Sequence, residues 1–322
     1  MSHIHILYEN SEWTAPLLAE LDRRQSPHRV WDISQGQFDL SVPPPPGVYY
    51  SRMSASAHSR GHRFAPEYAD AVIQWLEAHG RRVINGSRAV RLELSKVAQY
   101  AALQTAGIAI PRTCPAHGRE AAIAAAHTFA GPFISKHNRG GKGLGVHLHD
   151  DVKALTVWLD GPDHEPPVDG ILLLQEYIQA PLPLITRLEF VGGGFLYAVR
   201  VDTRDGFQLC PAEACAVDPT KGPMFQIIEG FSSPLIAAYE QFLADNHVQI
   251  AGIEFIVDGA GQAWTYDINT NTNYNTEAEA QLAPGARRGL TSVAAYLGHE
   301  LTALNDPETL ARLNSAGGLA IQ

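Results

Sequence analysis

Cysteine is scarce in this chain. Among 322 residues there are three, Cys114, Cys210 and Cys215. The odd count and the lack of any CxxC pair argue against a disulfide framework or a structural zinc site, and the three read as reduced packing residues. Long apolar runs are also missing. No stretch approaches the ~20 residues of a membrane helix. The start, MSHIHILYENSEW, has no basic region, and His3, His5 and Glu9 interrupt its apolar residues, so it does not read as a secretory signal. The expected compartment is the cytoplasm. Positive charge is in short supply too: Lys and Arg number 24 against 34 Asp and Glu, a net charge of −10. Such a chain is a poor general binder of nucleic acid or anionic membrane. Any phosphate ligand would need its positive charge concentrated locally.

What is present is globular. Hydrophobic residues make up 45% and charged residues 18%, and the length suggests two or three domains. The first stretch reads as α/β. His3 to Leu7, Val30-Trp31, Val48 to Tyr50 and Val83-Ile84 are short apolar strands. Trp13 to Arg24 and Tyr68 to His79 have helical spacing, and Gly80 stands where a helix would end. Four prolines from Pro43 to Pro46 form a stiff connector. Asn85-Gly86 is a turn signal and a domain boundary.

Beyond it, Glu93 to Thr105 and Glu120 to Thr128 read as helices. Pro132 to Ser135 is a strand that enters a glycine-rich loop from His137 to Gly145, and Val146 to Leu148 leaves it. Ile171 to Gln175 is another strand. Leu188 to Val191 and Phe195 to Val201 flank Gly192-Gly193-Gly194 as a hairpin. Pro234 to Asn246 is a helix. Gly252 to Val257 and Trp264 to Ile268 form a second hairpin, and Arg288 to His299 a closing helix. The expected divisions are 1–86, an α/β substrate-side domain; 87–176, a central part carrying the glycine-rich loop; and 177–322, a part carrying a metal site.

Five groups of residues have chemical content. In the C-terminal hairpin, Asp267 and Asn269 share a strand face, and Glu254 on the partner strand could face the same side. Two carboxylates and an amide oxygen suit Mg2+. The residues alone leave open a polar strand end with Asx turns, since Asn271, Asn273 and Asn275 continue the alternation. In the glycine-rich loop, Gly140, Gly141 and Gly143 allow backbone N–H groups near a phosphate, with charge from Arg139, Lys142 and the preceding Lys136. It is not a Walker loop, and a plain hairpin tip is the alternative. Gln175, Glu176, Tyr177 and Ile178 end an apolar strand, where a base could stack or the strand could simply leave the sheet. Lys96, Arg187 and Arg200 are scattered positives that could hold phosphate or carboxylate, or be surface charges. In the first domain, Arg52 at a strand end could bind a substrate carboxylate, with His58, Arg60, His62 and Arg63 nearby. The histidine spacing fits no trusted zinc pattern.

These pieces, in this order, resemble the ATP-grasp superfamily, particularly its ribosomal-protein and lysine-biosynthesis glutamate ligases. The likeness is clearest from Val83 to Asn275; residues 1–84 match only loosely, as a preceding α/β domain. Asn85-Gly86-Ser87 and Glu93-Leu94-Ser95-Lys96 look like that family's entry into the ATP-binding region. Phe133-Ile134-Ser135-Lys136 looks like its second ATP lysine strand, and Gly140 to Val146 like its phosphate-covering loop. Gln175 to Ile178 is similar to its adenine-reading strand. Glu254, Asp267 and Asn269 match its magnesium ligands.

The resemblance implies an ATP-grasp fold: an N-terminal α/β domain, then two α+β subdomains clasping ATP. It implies Mg2+, or Mn2+ in its place, and a carboxylate–amine ligase forming an amide through an acyl phosphate and releasing ADP and phosphate. Its partners would be a small-molecule or peptide carboxylate and an amine, with neither nucleic acid nor membrane, and the chain is expected to pair as a homodimer. Arg200, or else Arg187, would stabilise the tetrahedral oxyanion. Arg52, Arg63, Asn271 and Asn273 are the candidates for substrate contact.

The chain departs from the family at several points. Ile185 stands where relatives usually have Asp. Arg200 is offset by about one residue from its expected place. The Asn-rich run after Asp267 replaces a Pro/Gly turn, so the substrate does not carry over. Other readings are a phosphotransferase on the same fold, a non-catalytic nucleotide-binding protein, and a metal hydrolase using His58, His62 and Asp267.

Overall fold

A computed structural model of the chain describes residues 2–306 apart from Lys142, Leu144, Asp205 and 207–222. Cys210 and Cys215, and the phosphate-binding expectation for Lys142, lie outside the described residues. Cys114 is a free thiol.

Three sheets follow one another along the chain. The first is parallel, in the order β2-β1-β3-β4, built from β1 (His3–Tyr8), β2 (His28–Asp32), β3 (Gly47–Arg52) and β4 (Arg82–Ile84). The crossovers are α1 (Ser11–Arg23) and α2 (Ala65–Ala78). Strand β3 is buried from end to end, as parallel strands covered on both faces are. Its last residue, Arg52, is 3% exposed.

Helices α3 (Ser87–Leu94) and α4 (Lys96–Thr105) come next. The single helix expected from Glu93 to Thr105 is therefore two. Ser95 adopts an extended conformation and its hydroxyl accepts from the Ala98 amide, capping α4. A serine at this position competes with the helix for its own backbone and restarts it. Lys96 is thereby the first residue of a helix.

The second sheet, β5-β8-β6-β7, is antiparallel: β5 (Thr113–His117), β6 (Phe133–His137), β7 (His147–His149) and β8 (Ile171–Glu176), with α5 (Arg119–Ala126) and α6 (Val152–Leu159) over one face. The glycine-rich loop joins β6 to β7. The third sheet, β11-β10-β9-β12-β13, is also antiparallel. It comprises β9 (Leu184–Val191), β10 (Gly194–Asp202), β11 (Phe225–Ile228), β12 (Ile250–Val257) and β13 (Ala263–Asn269), with α7 (Pro234–Asp245) between β11 and β12. Gly192 and Gly193 turn the β9–β10 hairpin at φ of 65° and 78°, angles that glycine takes without strain.

Two further helices close the chain, α8 (Thr276–Ala280) and α9 (Gly289–Asn305). One face of the third sheet packs with α3, α4 and α7, through Leu103, Leu188, Phe190, Tyr239 and Phe242. The other packs toward the first sheet, α1 and α9, through Ile4, Leu17, Val199, Val293 and Leu297. The asparagine run does not continue as a strand. Strand β13 stops at Asn269, and Asn275 caps α8 by accepting from the Ala278 amide at 2.7 Å.

Candidate active site

A cleft of about 450 Å3 opens where the three sheets converge. Its floor is the third sheet, and the register there sets the chemistry. Arg187 on β9 lies opposite Glu254 on β12, and Glu254 lies opposite Asp267 on β13. Directly opposed residues share a face, so an arginine and two carboxylates form one row across three strands. Asn269 lies two residues beyond Asp267 on that face. The parallel row reads Glu189, Gly252, Asn269.

Gly252 makes this arrangement possible. The Arg187 guanidinium occupies the space where a Cβ would stand, within 2.6 Å of it. From there it donates to Glu189 at 2.6 Å, to Glu254 at 2.8 Å and to the Thr272 hydroxyl at 2.6 Å. Thr272 in turn donates to Glu189 at 2.8 Å. Burial acts to lower the Arg187 pKa, but Glu189 and Glu254 outweigh it and hold it above its ordinary value. Burial pushes Glu254 up, partly opposed by Arg187, while Asp267 adds like-charge repulsion in the same upward direction. Substituting Gly252→Ala should therefore destabilise the fold by about 2–4 kcal/mol, the usual cost of overpacking plus a broken buried network. Urea denaturation measures it, and a midpoint unchanged from the parent would refute it.

Two lysines close the other side. Lys96, at the start of α4, pairs with Asp267. Lys136 comes from β6 and is 5% exposed. Its ammonium sits 5.2 Å from the Tyr100 ring and 5.7 Å from the Tyr266 ring, with no carboxylate in ion-pair contact among the described residues. Its pKa falls to about 7: burial lowers it most, repulsion from Lys96 adds to the drop, and Asp267 and Glu254 offset part of it. Asn138, the residue two after Lys136, anchors the loop. Its side chain accepts from the Val97 amide at 2.9 Å and its carbonyl from the Lys96 amide at 3.2 Å.

The structure brings most of the expected residues together. Lys96, Lys136, Gly140, Gly141, Gly143, Gln175, Glu176, Tyr177, Ile178, Arg187, Glu254, Asp267, Asn269, Asn271 and Asn273 all line the cleft. Gln175 is fixed by donating to the Thr113 hydroxyl at 2.7 Å. Three residues lie elsewhere. Arg200 is exposed and pairs in register with Thr186, placing it on the opposite face of the sheet from Arg187. A β-bulge between Phe195 and Tyr197 causes this by inserting one residue and reversing the faces beyond it. Arg63 donates to the Val168 carbonyl at 2.8 Å and pairs with Glu67. It forms no part of the cleft wall. Arg52 stands behind the wall, donating to Asn271 at 3.2 Å and Asn273 at 2.9 Å.

The histidine candidates do not gather around a metal. His58 bonds the Ala55 carbonyl at 3.2 Å, and His62 bonds Glu9 at 2.9 Å. Among the described residues, no group of three or more His, Cys, Asp or Glu is placed to hold a metal ion. Glu189, Thr272 and Gly252 went unmarked in the sequence. Two signals pointed to them: Glu189 is two residues from Arg187 on one strand, and Gly252 two from Glu254.

Glu254, Asp267 and Asn269 form a hard, all-oxygen donor set of the kind that suits a divalent cation bound jointly with phosphate. The buried amide nitrogen of Asn269 has no partner among the described residues, as expected of a side chain whose surroundings are incomplete without a ligand.

No protein-family model matches the sequence, and no curated protein matches it. Solved structures do match. A RimK-domain ATP-grasp protein from Sphaerobacter thermophilus DSM 20745 is similar over 94% of this chain and 100% of its own, at 18% identity and a TM-score of 0.62. The ATP-grasp ligase PsnB, complexed with a minimal precursor, is similar over 95% of this chain and 100% of its own, at 15% identity and a TM-score of 0.65. The D-cycloserine synthetase DcsG is similar over 92% of this chain and 99% of its own, at 18% identity and a TM-score of 0.61. The chain has the ATP-grasp fold.

Proposed function

We propose that this protein is an ATP- and magnesium-dependent ligase that activates a carboxylate as an acyl phosphate and joins it to an amine, releasing ADP and phosphate. One observation carries the reading: two buried lysines, a glycine-rich loop and an Arg–Glu–Asp row meet in one cleft whose far wall is the 175–178 strand end. Solved neighbours add support. PsnB is described in complex with Mg and ADP, and a RiPP-associated ATP-grasp ligase from Chryseobacterium gregarium with ADP and a leader and core peptide.

The chemistry follows from charge. A carboxylate resists amine attack because oxide is a poor leaving group. Phosphorylation makes phosphate the leaving group instead. Lys96 and Lys136 supply positive charge for the phosphate chain, and the loop glycines let backbone N–H groups approach it. Glu254, Asp267 and Asn269 would hold a magnesium ion, which when bound neutralises phosphate charge. Arg187 has donors left over after Glu189, Glu254 and Thr272 are served. Fixed at the floor, it is the cation placed to stabilise the oxyanion formed when the amine attacks. Arg200, on the other face, has no such access. Gln175 to Ile178 hold the base.

The reading is tested by incubating the protein with ATP, Mg2+ and a panel of amino acids, small carboxylates and peptides. ADP and phosphate should appear only with a carboxylate–amine pair, with a product lighter than their sum by one water. AMP as the nucleotide product, or a stable phosphorylated product, would overturn it.

A further inference from the structure

Arg52 poses an electrostatic problem. It is 3% exposed, yet no carboxylate forms an ion pair with it among the described residues. Its side-chain partners are two neutral amides, Asn271 and Asn273. A buried guanidinium paired only with neutral groups is costly. Elsewhere in this molecule buried arginine is handled differently, as Arg187 is by Glu189 and Glu254.

The geometry also fixes how the asparagines point. Arginine can only donate. Both amide oxygens must therefore face Arg52, which leaves both NH2 groups on the other side. Both residues line the cleft, and neither NH2 group has a protein partner among the described residues. The residue between them, Thr272, faces the opposite way, toward Arg187 and Glu189. The result is a wall of paired N–H donors, polarised by a buried positive charge, in the cleft that Ser54, Ser56 and Trp13 also line. Paired N–H donors backed by a cation match the two oxygens of a carboxylate. Lys96 is engaged by Asp267 instead, and Lys136 lies over the Tyr100 and Tyr266 rings.

We propose that Asn271 and Asn273, oriented by Arg52, seat a non-reacting carboxylate, so that the acyl donor or the amine carries a carboxylate besides the one that is activated. This rests on the ligase reading above. Arg52 is a positioning residue: it sets the amide orientation and supplies the charge without touching the ligand.

The test uses the full chain with Mg·AMPPNP bound. Calorimetry measures affinities for amino acids, short dicarboxylates and the matched carboxamide of each. The parent should prefer a carboxylate over its carboxamide by at least about tenfold, the scale of a charge-assisted contact. Asn273→Asp is the decisive variant. It gives Arg52 an ionic partner, so a purely structural role would be kept or improved, with the melting temperature at most about 2 °C below the parent's. In the proposed role, the new carboxylate repels the ligand and the preference disappears. Arg52→Lys keeps the charge and should retain part of the preference. Whether amino-acid amides or half-amides of dicarboxylates lose binding tells which substrate carries the group.

A parent with no carboxylate preference, or an Asn273→Asp protein that keeps it, overturns the inference. Mg·AMPPNP binding without the preference sinks this inference alone. Failure to bind Mg·AMPPNP sinks the ligase reading and this one with it.

Discussion

Replacing Lys136 with methionine is expected to stabilise the nucleotide-free protein and to abolish nucleotide binding. Lys136 is 5% exposed, and its ammonium lies over the Tyr100 and Tyr266 rings with no carboxylate paired to it among the described residues. Burial lowers its pKa from 10.5 to about 7. The unfolded chain therefore binds a proton between about pH 7 and 10.5 that the folded chain releases. Stability should rise with pH across that window, and the penalty should be full below about pH 7. The lowering corresponds to at most about 5 kcal/mol.

Methionine fills a similar volume without the charge. The variant should gain about 2 kcal/mol at pH 7, the cation–π contacts being lost with the charge, and the gain should vanish near pH 10.5. Urea denaturation at the two pH values checks this, and a less stable variant at pH 7 would refute it. In the parent, ADP affinity should fall as pH rises above about 7, because the lysine must take up a proton to meet a phosphate. Calorimetry in buffers of different ionisation enthalpy would register that uptake. Under the proposed function, the residue would cost the empty protein stability that bound nucleotide returns, a trade typical of functional charge.

Much of the third sheet could be read in the sequence because its signals are local. The triple glycine at 192–194 and Asp258 to Gly261 mark two hairpins, and both form. Strand alternation places Asp267 and Asn269 on one face, which the register bears out. Arg200 shows where such counting fails. A regular β9–β10 hairpin would set it opposite Ile185, on the face of Arg187. The bulge between Phe195 and Tyr197 sets it opposite Thr186 instead. One inserted residue exchanges every side chain beyond it between the faces, and its one mark in the sequence is the offset of Arg200 by about one residue from its expected place.

The pairing of Arg52 with Asn271 and Asn273 was hidden for a different reason. Its partners are 219 and 221 residues away in the chain, and only the packing of the first sheet against the third joins them. Glu189 reads as one more polar strand residue until burial and Arg187 give it a role. The break at Ser95 was legible in principle, since Ser is a strong helix N-cap, but the run from Glu93 to Thr105 hides it among good helix formers.

Asp267 is expected to be the most sensitive carboxylate in the cleft, and Asp267→Asn should lower turnover by about three orders of magnitude. The substitution keeps shape and hydrogen bonding while removing one negative charge. That charge has two tasks. It pairs with Lys96 at the start of α4, and under the proposed function it would hold a divalent cation with Glu254, which it faces across the strands. The two tasks predict opposite effects on nucleotide affinity. Without a divalent cation, removing a negative charge near the phosphates frees Lys96 and should tighten ADP binding. With Mg2+, the loss of a ligand should erase the increment that Mg2+ gives the parent. Titrating ADP into both proteins with Mg2+ or with EDTA separates these effects. The two affinity series should cross, the variant binding more tightly in EDTA and more weakly in Mg2+. A variant that keeps the full Mg2+ increment would show that Asp267 serves only to fix Lys96, and the cation would then have to sit on other oxygens of the cleft.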